Sequence, residues 1–143
     1  MQYLTVQDVL WVHLQVAKKK GNFNYANLEE ATSYQYAYGK SKDVVGQASR
    51  FFFGFQSKSP FESANRAVAF VCGLVFLEIN GMNFDASEND LATWLQRAGD
   101  LTTRKEALAE IAPPSHDAHH PEPREVATAV LEKHQKAIKK LLE

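Results

Sequence analysis

The chain has 143 residues, 45% of them apolar and 23% charged, and a formal net charge of −1. That length suits one domain with its own core, and the composition is that of an ordinary soluble globular protein. The near-neutral charge argues against a general nucleic-acid binder, which carries a basic surplus. Cys72 is the only cysteine, so no intramolecular disulfide forms and a reducing compartment fits. Set in "AVAFVCGLVF", it reads as a small buried hydrophobe. The start "MQYLTVQDVLW" lacks the basic, then uninterrupted apolar pattern of a signal peptide. No stretch reaches the roughly 18 apolar residues of a membrane span. A cytoplasmic protein with no membrane contact is expected.

The predicted elements are helices throughout. Thr5 opens a capping-box-like "TVQD", and Val6, Leu10, Leu14 and Ala17 follow at helical spacing, with Gly21 as the stop. The run Lys18-Lys19-Lys20 complements the negative end of that helix. A second helix is predicted from a cap at Asn27 with Glu30 through about Tyr38, stopped by Gly39. Tyr34, Tyr36 and Tyr38 cannot share one of its faces, so at least one lies at the rim. A third runs from about Lys42 to Gln56, with Val44, Ala48, Phe51 and Phe55 in one stripe beside Val45 and Phe52.

The fourth helix, about Asn65 to Asn80 and closed by Gly81, is apolar on nearly all sides. Such a helix must be surrounded by others, which makes it the centre of the fold. Gly73 inside it costs stability unless a neighbouring backbone comes close. A fifth helix starts near Ser87 and ends at Gly99, and a sixth runs from Thr103 to the prolines at 113 and 114. Residues 113–124 form a Pro/His-rich linker. A last amphipathic helix, about 125–143, carries the stripe Val126, Val130, Ala137 and Leu141, joined by Leu131 and Ile138. That stripe is expected to dock on the bundle or on a second copy, giving a homodimer.

Between the third and fourth helices lies "SPFESANRA", from Ser59 to Ala67. A polar loop opening into an apolar helix is suited to phosphate, because the free N–H groups and the helix dipole favour anions. The loop and the helix behind it resemble the signature of the Fic/Doc family: His-(Pro/Ile)-Phe-x-(Asp/Glu)-(Gly/Ala)-Asn-(Gly/Lys)-Arg, then an apolar helix. "FLEINGMNF" and "YLTVQDVLWVH" look like the Doc branch, and the resemblance spans about residues 3–110. It implies an all-α bundle, residues 1–112, with the loop at the start of a central helix. It also implies transfer of a nucleotide or phosphate to a protein hydroxyl, with Mg2+ and ATP or another NTP.

Pro60, Phe61, Ala64 and Asn65 match the signature. The resemblance makes Pro60 and Phe61 the loop anchor. Ser63, Ala64, Asn65 and Arg66 become the phosphate- or nucleotide-binding candidates, with Ala64 allowing close backbone approach and Asn65 donating. Ser59 stands at the position of the general base, and an unassisted hydroxyl is a very poor base near neutral pH. Ser63 stands at the acidic, Mg2+-holding position, where carboxylates are needed. Ala67 replaces the arginine. Glu62 and Arg66 each sit one residue early, Glu62 as a weak metal candidate and Arg66 turned about 100° away on a helix.

With base, metal ligand and clamp replaced together, the leading expectation is a degenerate, non-catalytic member. It needs no cofactor and acts by protein contact, with an antitoxin-like partner in a toxin–antitoxin setting, or by weak phosphate or nucleotide binding. A second expectation is an active transferase in which Glu62, Arg66 or a distant histidine substitutes. A third is a helical interaction module whose pocket has closed. "TTRKEA" (102–107) has the Thr–Glu spacing of the family's inhibitory helix but continues with Ala107, and reads as a helix cap. His116, Asp117, His119 and His120 match no specific zinc spacing. His13 and His134 read as packed or rim residues. His13 meets the loop only if the fold brings the first helix to it.

Overall fold

A computed structural model of the chain describes residues 2–18, 21–36, 44–81 and 122–142, apart from the side chains of Val45, Ser49 and Lys140. The helices expected near Ser87 and Thr103, most of the linker and the His116–His120 cluster lie outside these residues. The described part is all-α: α1 (Val6–Ala17), α2 (Tyr25–Ser33), α3 (Val44–Lys58), α4 (Asn65–Ile79), α5 (Pro123–Lys133) and α6 (Gln135–Leu142). Among the described residues there is no strand, and none of the helices is long and apolar enough to cross a membrane.

Thr5 caps α1 as its sequence predicts: Asp8 N donates to Thr5 Oγ1 at 3.1 Å, and Thr5 N donates to Asp8 Oδ2 at 2.9 Å. The helix ends earlier than Gly21, because Lys18 turns left-handed (φ 58°) and its N–H closes on Leu14 O. At α2 the cap is Asn24 rather than Asn27. Asn24 Oδ1 accepts from Asn27 N at 2.9 Å, so Asn27 is the capped residue. The helix stops at Ser33, and the chain turns through Tyr34–Tyr36. Tyr36 is the exposed rim tyrosine, while Tyr38 lies outside the described residues.

The central position of α4 is as expected. Its residues from Ala67 to Leu77 are buried, along with Ile79, and it packs against α1, α3, α5 and α6. Phe51, Phe52 and Phe55 of α3 are buried beside it; each such ring contributes about 1.5–3 kcal/mol. At Gly73 the close neighbour is a side chain and not a backbone: a Cβ there would stand 3.8 Å from Phe52 Cδ2. Cys72 is fully buried, and burial pushes its thiol far above the usual range.

The C-terminal stripe docks on its own chain. The last helix begins at Pro123, a residue suited to a first helical position, and breaks at His134 (φ −113°) into α5 and α6. Val126, Val130, Ala137, Ile138 and Leu141 are buried in the same core as α4. Arg124 ties α5 to α1 through Asp8 (3.5 Å) and the Trp11 ring (5.9 Å to its centroid). The apolar area that suggested a homodimer is therefore already covered within one chain.

Candidate functional site

The loop between α3 and α4 is held from three sides. Ser59 takes a left-handed conformation (φ 43°), and its Oγ donates to Gln56 O at 2.7 Å. The hydroxyl at the family's base position thus returns to the end of α3. Pro60 is buried, and its carbonyl accepts from Asn24 N at 2.8 Å, while Glu62 N donates to Asn22 O at 3.2 Å. These bonds make an antiparallel bridge between Phe23 and Phe61. The segment before α2 therefore straps the loop.

Phe61, which the resemblance makes a loop anchor, is buried, with 4% of its surface exposed. Its ring meets Phe55 at 6.2 Å and Phe23 at 6.1 Å, and lies parallel to His13 at 3.9 Å with 7° between planes. His13 is the residue the loop motif alone does not reveal. It comes from α1, and only the packing of α1 under the loop joins the two. Its ring is 6% exposed, and its Nε2 has no hydrogen-bond partner among the described residues.

Asn65 is placed differently from the expectation of a free phosphate donor. Its Oδ1 accepts from Phe61 N at 3.0 Å, and its Nδ2 donates to Phe61 O at 2.8 Å. The carboxamide closes a two-bond ring on one peptide residue and fixes the loop's shape. One Nδ2 hydrogen is left over.

Ala64 caps α4 in the left-handed region (φ 68°) with no side-chain bond. Ala64 carries a Cβ and so bears the cost of the left-handed region that glycine would avoid, as Lys18 and Ser59 do elsewhere in the chain. Because of this turn, the backbone N–H groups of Ser63, Ala64, Asn65, Arg66 and Ala67 donate to no other described residue. A left-handed residue leading into helical ones is a backbone sequence that forms anion-binding nests, and the α4 dipole adds to it.

Around these amides, Glu62, Ser63 and Arg66 are exposed, whereas Ala67 is fully buried. The arginine position of the signature therefore points into the core in this chain. Arg66 is exposed instead. The only carboxylate of the loop, Glu62, is exposed one place early, and Ser63 offers a hydroxyl where a Mg2+ site needs a carboxylate. The donor set does not fit the metal. Among the described residues no group of three His, Cys, Asp or Glu side chains converges. Comparison with family models, curated proteins and solved structures gave no match to this chain.

Proposed function

We propose that this chain is a non-catalytic protein of the Fic/Doc type. Its loop at the start of α4 holds a phosphate-bearing ligand weakly, and its action depends on contact with a protein partner, as in a toxin–antitoxin pair. The observation that carries the proposal is the loop itself. The backbone groups that would bind an anion are free, while the side chains that would do chemistry are absent or turned away. Amides 63–67 have no partner among the described residues, but Ser59 bonds to Gln56 O and position 67 is buried. His13 is no substitute base, because its Nε2 is shut off from solvent under Phe61.

Loss of a general base typically costs about 10²–10⁴ in rate, and loss of one oxyanion donor about 10²–10³. Together they remove useful transfer and leave the weak binding that the backbone amides supply. Incubation with labelled ATP, GTP, UTP or a phosphocholine donor and Mg2+ is therefore expected to label neither the protein nor lysate proteins. Mg2+-dependent labelling that Asn65→Ala abolishes would restore the active reading.

A further inference from the structure

We propose that His13 is a proton-operated latch on the 59–64 loop: its neutral imidazole, stacked on Phe61, holds the loop against α1, and uptake of a proton releases it. The inference does not depend on whether the loop binds an anion.

The geometry sets the latch. His13 and Phe61 are face to face at 3.9 Å, and the His13 ring is 6% exposed. The strap before α2 closes over it, since a Cβ at Gly21 would stand 3.8 Å from His13 Cε1. Phe61 is the side chain that seats the loop, so whatever displaces it from His13 lifts the loop. Among the described residues the hydrogen bonds that must then break are Asn24 N to Pro60 O, Glu62 N to Asn22 O, and the Asn65 ring on Phe61.

The chemistry sets the direction. A proton makes both ring nitrogens donors, Nε2 makes no hydrogen bond in the closed loop, and the Ser63 backbone is the polar group beside the ring that favours its charged form. The proton also places a charge on a side chain that is 6% exposed and whose Nε2 is buried. Attraction between an imidazolium and the Phe61 face offsets part of that cost. Among the described residues no counter-ion offsets the rest. The strap 21–24 has no titratable side chain, and the loop contributes Glu62, which is exposed. The remaining charged groups among the described residues of the packed elements are Glu29 and Glu30 of α2, Arg50 and Lys58 of α3 (Lys58 paired with Glu30), Arg66 and Glu78 of α4, Arg124, Glu125, Glu132 and Lys133 of α5 (Arg124 paired with Asp8), and Asp8 and Lys18 on or beside α1. None of them acts on the ring. Burial lowers its proton affinity, and the Ser63 backbone opposes this only in part.

The sign follows. Above pH 6.5, roughly the ordinary imidazole value, the ring is neutral whether the loop is closed or open, and closure is at full strength. As pH falls through about 6.5 the open form takes up a proton first, so closure weakens until the closed form also titrates.

Amide hydrogen exchange on the full chain, corrected for intrinsic rates, tests this at about pH 7.5 and about pH 5. Protection at Asn24, Phe61 and Glu62 is expected to fall at the lower pH, by up to about tenfold per pH unit below 6.5, while amides in the middle of α4 hold theirs. His13→Phe keeps a ring on Phe61 and removes the proton site, so its loop protection is expected not to change with pH. Loop protection that is the same at both pH values in the wild type overturns the latch, as does a fall that persists in His13→Phe. Should that variant not fold, the wild-type His13 Cε1–H resonance decides. A titration midpoint below about 6.5 supports the latch, and one at or above it overturns the latch.

Discussion

Three carboxamides in this protein behave as substitutes for a neighbouring strand. Asn80 bonds both the N–H and the C=O of Gln2, Gln35 bonds both of Leu4, and Asn65 bonds both of Phe61. Each fixes an irregular stretch whose backbone groups have no helix to join. Asn65→Ala is therefore expected to destabilise the protein by about 1–3 kcal/mol, read from urea unfolding, even though no ligand is present. No change would mean that the ring on Phe61 does not hold the loop. Two glycines make a sharper pair. Gly73→Ala meets Phe52 only at ordinary contact distance, 3.8 Å, so it is expected to stabilise by about 0.5–1 kcal/mol through helix propensity. Gly54→Ala would drive a Cβ to 2.5 Å from the Tyr34 ring and is expected to destabilise. Thermal melts that rank the two variants the other way would contradict the packing of α2 on α3.

At the scale of elements, the reason for α5 and α6 is the apolar circumference of α4. A helix buried all round needs cover on every side, and the C-terminal stripe supplies one of them. Val130→Ala is expected to destabilise the chain by about 1–3 kcal/mol. The melting midpoint of the full chain is expected to be independent of protein concentration, as for a fold that closes on itself. A midpoint rising with concentration would show that a second copy completes the core. Periodicity made these elements legible: the Thr5 cap, the α3 phenylalanines and the all-apolar α4 each carry a local signal. The misplaced ends have local causes too. Asn24 and Asn27 are both good caps by residue type, and only the bond between them decides which one caps. The break at His134 has no glycine or proline to announce it.

For the whole molecule, the site was legible as a loop but not as a geometry. "SPFESANRA" marks the loop proposed to hold an anion and lacks the histidine, acidic residue and final arginine of the signature it resembles. Its strap, the 22–24 segment, lies some forty residues earlier in the chain, and His13 earlier still; neither has a pattern that points to Phe61. The left-handed Ala64 is likewise invisible in a sequence where glycine would have advertised it. The central claim is that amides 63–67 form a working anion site without the machinery to transfer a group. Its most direct test is a titration of the uniformly labelled full chain with inorganic phosphate into the millimolar range, followed by amide chemical shifts. Saturable shifts confined to Ser63, Ala64, Asn65, Arg66 and Ala67 are the predicted result. Amides in this loop that do not move at millimolar phosphate would contradict it and leave a closed helical module in its place.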